Sequence, residues 1–277
     1  MTSEQKKSLS EAAKELRKAM KGVGTDEAAI VKAIVGFSNA DLQQLIEVYR
    51  KEISRDLIPD LKSECGGNFL KVLLAMFTAW DTYDSHCVHE AIAGLGTNEK
   101  LLTEIICTRT PDEVEEHGRC YQGHTPVFHS YHSLIFQSDT SGDYQKLLLA
   151  CFTDSRKGGL NSGKVSKDIE ALYQAGEGKM GTDENTFVQL IGSQPRAHVE
   201  AVALEYGMKH GKHFSEVVKS ELSGPVKYAL QVLTTPLAQF WAGQFSAAMK
   251  GLGTNDDMLI RTLCSTYHRC LREVTVE

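Results

Sequence analysis

Three carboxylates follow three glycine-rich turns at nearly the same distance along the chain. The pairs, with their separations in residues, are Gly24 and Glu64 (40), Gly181 and Glu221 (40), and Gly96 and Asp139 (43). Glycine allows a tight turn in which carbonyl oxygens left unpaired at a helix end can face one point. Calcium takes roughly six to eight oxygen ligands, carboxylates among them, and accepts irregular geometry. The spacing therefore indicates sites for a hard divalent cation, provided that the chain folds each acid back to its turn.

The glycine turn occurs four times, which indicates an internal repeat. The four copies are MKGVGTDE (20–27), IAGLGTNE (92–99), GKMGTDE (178–184) and MKGLGTND (249–256). Their threonines are separated by 72, 85 and 72 residues, so the middle interval is the longest. Three of its extra residues lie within the second copy. The rest fall in the stretch 153–167, which contains glycine and lysine and which we predict to be a linker.

Each turn carries an apolar residue at its tip, where turns normally carry polar side chains. These tip residues are Val23, Leu95, Met180 and Leu252. One exposed apolar residue means little, but four at equivalent tips predict a shallow contact with lipid. A single turn is explained more simply as a helix corner, and a single acid as the N-cap of the next helix. Because turn and acid recur together three times, we favour the metal-site interpretation.

The apolar spacing in the first copy is helical and nowhere sustains the alternation of a strand. Ser8 and Glu11 match a capping box for the first helix, and Thr25 fits the N-cap of the second. We expect about five short helices in each copy, packed against neighbouring copies. The predicted segments are a short tail (1–8), repeat 1 (9–80), repeat 2 (81–152), the linker (153–167), repeat 3 (168–236) and a partial repeat 4 (237–277).

Composition limits the possible functions. The 30 basic and 36 acidic residues give a net charge of −6, which argues against direct electrostatic binding of nucleic acid or anionic lipid. Any anionic partner therefore requires a bridging cation. The seven scattered cysteines fit a reducing compartment and are expected to be small core residues. Without a signal-peptide core or a membrane-spanning apolar run, the chain is expected to be cytoplasmic.

The signature K-G-x-G-T with an acid 40 residues later resembles the annexin family, and the resemblance covers the chain from about Leu9 onward. It implies an all-α fold, a curved disc of four five-helix repeats with the fourth incomplete. It also implies Ca2+ sites on the convex face, built from backbone carbonyls and one carboxylate. The implied ligands are Met20, Gly22, Gly24 and Glu64 in repeat 1; Ile92, Gly94, Gly96 and Asp139 in repeat 2; Gly176, Lys179, Gly181 and Glu221 in repeat 3; and Met249, Gly251 and Gly253 in repeat 4.

Two regions depart from the family pattern. The sequence stops at Glu277, before the position, about 293, that the same spacing assigns to a fourth acid. A fragment or short form with a loosely packed fourth repeat is therefore expected. In repeat 2, glycine and proline interrupt the helical pattern between residues 115 and 132. Potential zinc ligands there are His117, Cys120, His124, His129 and His132. Their spacing matches no standard structural zinc site, and a surface loop with incidental histidines is the simpler explanation.

Calcium-dependent binding to anionic phospholipid membranes accounts for the turns, the acids and the tip residues together. It predicts peripheral association with membranes when calcium rises, with protein partners or self-association on the membrane left open and no nucleic-acid partner. An enzyme is not expected, because the phosphate-loop, dinucleotide-binding and H-E-x-x-H motifs are absent. The alternative is a calcium-independent helical-repeat scaffold for protein partners, in which the recurring acids have no role.

Overall fold

The computed structural model describes residues 8–22, 24–93, 95–114, 140–267, 269 and 271–274. Within these ranges the chain is all-helical and contains no strand, which confirms the predicted all-α class. Among the helices in this part of the chain, none combines the length and the apolar character needed to cross a bilayer.

The chain divides into two compact units. One comprises residues 1–83 together with 241–277, and the other comprises residues 84–240. The first unit thus contains repeat 1 and most of the segment predicted as a partial fourth repeat. The second contains nearly all of repeats 2 and 3.

Repeat 1 forms the five helices that its apolar periodicity predicted. They are α1 (Leu9–Ala19), α2 (Glu27–Ile34), α3 (Asn39–Ile53), α4 (Leu57–Glu64) and α5 (Gly67–Phe77). The predicted capping box is present: the Ser8 hydroxyl accepts the Glu11 N–H, and the Glu11 carboxylate accepts the Ser8 N–H at 3.0 Å. Leu16, Leu45 and Tyr49 are fully buried in one apolar core. Burial of this helical stripe holds α1 against α3.

A buried polar network positions α4, the helix that ends at Glu64. The Arg55 guanidinium donates three hydrogen bonds of 2.6–3.0 Å to the Asp60 carboxylate, and the Tyr49 hydroxyl donates a fourth at 2.8 Å. The bonds from Arg55 lower the pKa of Asp60 although burial opposes the shift. The network ties α4 to the end of α3.

Repeat 2 contains α6 (Trp80–Ile92), α7 (Glu99–Thr108) and α8 (Gly142–Ala150). A buried ion pair links α6 to the end of α7. Arg109 Nε and Nη2 donate to the two Asp84 oxygens at 2.6 and 2.9 Å, and both side chains are 1% exposed. Because a fork of this kind is satisfied only when both partners are present, it fixes the two helices that flank the second glycine turn.

Repeat 3 follows a short 3-10 helix (Asp154–Lys157). Its helices are α9 (Ser162–Ala175), α10 (Glu184–Gly192), α11 (Arg196–His210), α12 (Phe214–Glu221) and α13 (Gly224–Thr234). The predicted linker, 153–167, is therefore partly helical, because α9 begins at Ser162. Its glycines and lysines indicated a loop, but Val165 and Ile169 are each 2% exposed and anchor the helix in the core.

The last helices are α14 (Leu237–Met249), α15 (Asp256–Tyr267) and α16 (Leu271–Val274). An open apolar cleft of about 540 Å³ lies beside them. It is lined by Ala242, Phe245, Ser246, Met249, Lys250, Leu263, Leu271 and Val274. By the repeat, Phe245 and Met249 correspond to Leu16 and Met20, which are buried in repeat 1. This face of α14 is thus less covered than the equivalent face of α1.

Candidate metal centre

All four glycine turns close through the same backbone hydrogen bond. It runs from the acid or amide after the threonine back to the last turn of the preceding helix. The pairs are Asp26 to Ala19 (3.0 Å), Asn98 to Ala91 (2.6 Å), Asp183 to Ala175 (2.7 Å) and Asn255 to Ala248 (2.8 Å). The same four residues accept, through a side-chain oxygen, the N–H three residues further on. Each turn is thereby tied to both of its flanking helices.

The N-cap of each following helix is this acid or amide, so the predicted N-cap role of Thr25 is wrong. The Asp26 carboxylate accepts the Ala29 N–H at 2.9 Å. Threonine and aspartate are both good N-caps, and adjacent candidates cannot be separated by type alone. The threonine hydroxyl is left available for a different contact.

The threonine hydroxyl of the turn contacts the acid that lies about 40 residues further along the chain. In repeat 3 the Thr182 hydroxyl donates to Glu221 Oε2 at 2.6 Å. In repeat 1 the Thr25 hydroxyl donates to the Glu64 carbonyl at 2.8 Å and lies 3.4 Å from Glu64 Oε2. The structure therefore brings turn and acid together in both repeats.

Glu221 also approaches the backbone of its own turn. A Cβ placed on Gly176 would lie 3.1 Å from Glu221 Cγ and 3.4 Å from its carboxyl carbon. Any side chain at residue 176 would therefore press on the carboxylate. The Gly176 carbonyl accepts the Lys179 N–H at 3.0 Å, which leaves one of its two lone pairs for another ligand.

The glycine before each threonine is required by backbone conformation. Gly24 and Gly181 have φ of +86° and +83°, and their counterparts in the other two turns have +90° and +93°. A side chain would find open space at these positions, so only the left-handed φ selects glycine. In repeat 1, the carbonyls of Met20, Gly22 and Gly24 accept no backbone hydrogen bond from the described residues. These oxygens are thus available to a cation.

The oxygens at these turns suit calcium better than they suit zinc. Among the described residues, no three His, Cys, Asp or Glu side chains cluster as a metal site would require. A cation at these turns would depend on backbone carbonyls, one carboxylate and water, which is a calcium-type set of ligands.

A family model described as Annexin matches residues 11–76, 83–151 and 167–233. The chain belongs to the annexin family. Annexins are calcium-dependent phospholipid-binding proteins.

Several relatives are more than a third identical to this annexin over the residues that align. Annexin A7 from Dictyostelium discoideum is 38% identical over 267 residues, covering 91% of this chain and 55% of that protein. Annexin A11 from Mus musculus is 36% identical, covering 95% and 52%. The chain therefore spans about half the length of these two relatives. It spans 81% of annexin A4 from Sus scrofa, to which it is 39% identical over 92% of its own length.

Solved annexin structures confirm the predicted annexin fold. Annexin III superposes with a TM-score of 0.85 at 28% identity, covering 100% of this chain and 87% of that one. Chicken annexin V in complex with Zn2+ gives 0.83 at 34% identity, covering 99% and 87%. Calcium-bound annexin (Sm)1 gives 0.83 at 25% identity, covering 96% and 81%.

Three of the four tip residues of this annexin lie in the described part of the chain, and all three are fully exposed. Their relative exposures are 109% for Leu95, 103% for Met180 and 110% for Leu252. The fourth, Val23, lies outside the described residues. Gly94, Asp139 and the histidine-rich stretch that includes His117 and His132 also lie outside them. The acid of repeat 2 and the zinc hypothesis therefore stay predictions.

The acids of repeats 1 and 3 do not cap the helices that follow them, so the simpler interpretation is wrong there. Glu64 and Glu221 are the last residues of α4 and α12, and the next helices begin after Gly66 and Ser223, which make no side-chain cap hydrogen bond. Each carboxylate stands at a helix C-terminus, where the helix dipole disfavours negative charge. A nearby cation would relieve that unfavourable interaction.

Sequence reasoning missed the role of Glu177 in the third turn. Its carboxylate accepts hydrogen bonds from the Tyr206 hydroxyl and from Lys212 Nζ, both at 2.8 Å. Burial opposes ionisation, but these two donors outweigh it and lower the pKa of Glu177. Glu177 therefore anchors the turn, and Glu221 is the carboxylate that faces the backbone of Gly176. The only signal in the sequence is that the third turn differs from the other three.

Lysine side chains also accompany the turns. The ligand set expected from the sequence used Lys179 only for its carbonyl and gave no role to the ammonium groups. Lys21, Lys179 and Lys250 are exposed next to the glycines of repeats 1, 3 and 4. The repeated K-G pair could have identified two of them. An exposed ammonium beside a cation site suits a phosphate-bearing partner.

Proposed function

We propose that this annexin binds anionic phospholipid membranes through calcium ions that bridge its glycine turns to lipid headgroups. The observation that carries the proposal is the Thr182–Glu221 hydrogen bond of 2.6 Å, which holds a carboxylate beside a turn of available carbonyls. The chain is acidic, with a net charge of −6, so a direct contact with anionic lipid would be repulsive. Bound calcium supplies the positive charge that reverses this repulsion.

Each site would combine carbonyl oxygens with at most one acid. Repeat 1 offers Met20, Gly22, Gly24 and Glu64, and repeat 3 offers Gly176, Lys179, Gly181 and Glu221. Repeat 2 would add Ile92, Gly94, Gly96 and Asp139, and the fourth turn the carbonyls of Met249, Gly251 and Gly253. A single carboxylate for each ion gives weak intrinsic affinity, and phosphate oxygens of the membrane complete the ligand shell. Several such sites on one chain then add by avidity.

The exposed surroundings of the turns support lipid as the partner. Leu95, Met180 and Leu252 expose apolar side chains that shallow insertion among headgroups would remove from water. Lys21, Lys179 and Lys250 provide ammonium groups for phosphate. Under this proposal the protein is cytoplasmic and has no enzymatic activity. It associates peripherally with membranes and, once on the membrane, associates with itself or with other proteins.

Co-sedimentation with phosphatidylserine vesicles tests the proposal. The full chain is compared in calcium and in chelator with a site variant that carries Glu64→Gln, Asp139→Asn and Glu221→Gln. A matched control carries Glu47→Gln, Glu205→Gln and Glu216→Gln, three exposed acids on helices α3, α11 and α12. The control has the same change in net charge as the site variant. Any difference in vesicle binding between the two variants must therefore come from where the substituted acids lie.

We expect the parent and the control to sediment with vesicles only in calcium. The site variant should require a calcium concentration at least about tenfold higher, because each lost carboxylate removes one charged ligand. Binding that persists in chelator and is unchanged in the site variant would favour the calcium-independent scaffold instead. Circular dichroism confirms that all three proteins remain helical.

A further inference from the structure

Two cysteines of the second compact unit meet inside its core. Cys107 lies near the end of α7 and Cys151 directly follows α8, 44 residues later. Their sulfur atoms are 3.9 Å apart, and both residues are completely buried. A disulfide needs a sulfur–sulfur distance of about 2.05 Å, so the two atoms must approach by roughly 2 Å, a distance within the reach of side-chain rotation.

Two arginines provide an unusual electrostatic setting for this pair. Arg156 is 7% exposed, and its Nε and Nη1 find no hydrogen-bond partner among the described residues. Arg196 Nη2 donates to the Cys107 carbonyl at 2.9 Å, and Nη1 donates to the Thr235 carbonyl at 3.0 Å. Both guanidinium groups act on the thiols through their positive charge. Arg196 has a carboxylate nearby, Glu200, at 3.8 Å, whereas no carboxylate among the described residues pairs with Arg156. A buried cation needs a compensating negative charge.

A thiolate at Cys151 would supply that charge. The hydrogen bond from Cys107 lowers the pKa of Cys151, and the positive charges of Arg156 and Arg196 lower it further against the effect of burial. The hydrogen bond to Cys151 and burial raise the pKa of Cys107. The pair thus combines a sulfur that favours the nucleophilic thiolate, Cys151, with a second sulfur 3.9 Å away that is placed to resolve the oxidised form.

We propose that Cys107 and Cys151 form a redox-active dithiol that closes to an intramolecular disulfide when the protein meets a peroxide. The Cys151 thiolate attacks one peroxide oxygen, the O–O bond breaks, and the departing hydroxide takes a proton to become water. The resulting sulfenic acid is then attacked by the Cys107 sulfur. The S–O bond breaks, and the oxygen leaves as a second water with the Cys107 proton. In sum, two thiols and one hydrogen peroxide give one disulfide and two waters.

Cys65 provides an internal contrast. It is also buried, at 9% exposure, but the described residues place no second cysteine sulfur in contact with it. A cysteine without a neighbouring cysteine cannot close an intramolecular disulfide. The oxidation should therefore select the paired thiols over Cys65.

The test treats the full folded chain with hydrogen peroxide, quenches it, unfolds it in alkylating reagent and maps the peptides by mass spectrometry. We expect a linked peptide pair containing Cys107 and Cys151, two hydrogens lighter than the reduced pair, that a dithiol reductant separates. Cys107→Ser and Cys151→Ser should each abolish the link, and Cys65→Ser should leave it unchanged. The fully exposed Met180 reports the dose, because its sulfoxide forms without any opening of the core.

Two further measurements test the role of Arg156 in thiolate formation and the effect of the disulfide on stability. Arg156→Gln should slow formation of the link several-fold if the guanidinium stabilises the thiolate, with helical content unchanged. The oxidised parent should unfold at a higher temperature than the reduced parent, and this difference should vanish in Cys107→Ser. The proposal is overturned if Met180 is fully oxidised while Cys107 and Cys151 are still recovered alkylated, or if Cys65 links as readily as they do.

Discussion

Replacing Thr182 with valine removes the hydroxyl that holds the Glu221 carboxylate and changes the side-chain shape very little. In repeat 3 this hydroxyl lies 2.6 Å from the carboxylate. In repeat 1 the Thr25 hydroxyl bonds mainly to the Glu64 carbonyl at 2.8 Å, with the carboxylate 3.4 Å away. Thr182→Val should therefore free the Glu221 carboxylate, a candidate calcium ligand, to move. Thr25→Val should affect the mobility of the Glu64 carboxylate much less.

The magnitude follows from side-chain entropy. A glutamate that becomes fixed loses up to about 2 kcal/mol of rotamer freedom. Because Glu221 is half-buried and already restricted, we assign about half of this, about 1 kcal/mol, to the release of its carboxylate. Calcium must then order the carboxylate itself, which corresponds to roughly fivefold weaker binding at the third site. For Thr25→Val we expect a change of less than about twofold.

The assay measures the calcium concentration for half-maximal vesicle binding in backgrounds that keep one acid. Glu64→Gln with Asp139→Asn keeps the acid of repeat 3, and Asp139→Asn with Glu221→Gln keeps the acid of repeat 1. Each threonine variant is compared with its own background, and urea unfolding checks that stability is retained. Equal shifts for the two valine variants, or no shift for Thr182→Val, would refute the reasoning.

Three other predictions follow from burial and charge. Arg109→Ala should lower the free energy of unfolding by about 3–5 kcal/mol, measured in urea, because it removes the bidentate cation that pairs with the buried Asp84 carboxylate. Asp60 has a lowered pKa in the folded state, so its contribution to stability is complete above its ordinary pKa of 3.8 and is lost as pH falls below it. Asp60→Asn should therefore flatten the acid limb of a stability–pH profile. Serine at the three exposed tip residues should speed dissociation from vesicles while changing stability by less than about 0.5 kcal/mol each.

Each of these predictions has a matched comparison. Arg50→Ala removes an exposed arginine that pairs with Asp56, and it should lower stability far less, because solvent screens an exposed ion pair. A loss from Arg109→Ala as small as that would contradict the buried-pair argument. An acid limb identical in Asp60→Asn and the parent would contradict the pKa argument. Dissociation rates unaffected by serine at all three tips would exclude these residues from lipid contact.

The sequence itself predicted the helices of repeat 1 and the pairing of turn and acid, but not the full set of ligands at each site. Periodicity gave the five helices of repeat 1, and the Ser8–Glu11 capping box is local enough to be identified from two residues three apart. The pairing of Glu64 and Glu221 with their turns was indicated because the same spacing between turn glycine and acid recurs in different repeats. Such a recurrence implies that the two segments meet in the folded chain. The annexin resemblance supplied the ligand sets, which spacing alone left open.

Other contacts had no comparable signal in the sequence. The Thr182 hydroxyl could cap a helix or bind a distant carboxylate, and only the position of Glu221 in the folded chain decides between them. Cys107 lies in α7 and Cys151 directly follows α8, both at ordinary apolar positions, so their contact depends on how α7 and α8 pack. The role of Glu177 could likewise not be predicted from the sequence, because its partners Tyr206 and Lys212 come from a later helix and the turn after it.

The apolar cleft beside α14 affects how the stability of this protein should be measured. Dyes that fluoresce on exposed apolar surface would find Phe245, Met249 and Leu263 in the folded state. A dye-based thermal melt would then begin with a bright baseline and show a small rise on unfolding. Far-ultraviolet circular dichroism follows the backbone instead, so it gives the safer melting curve for every variant described above.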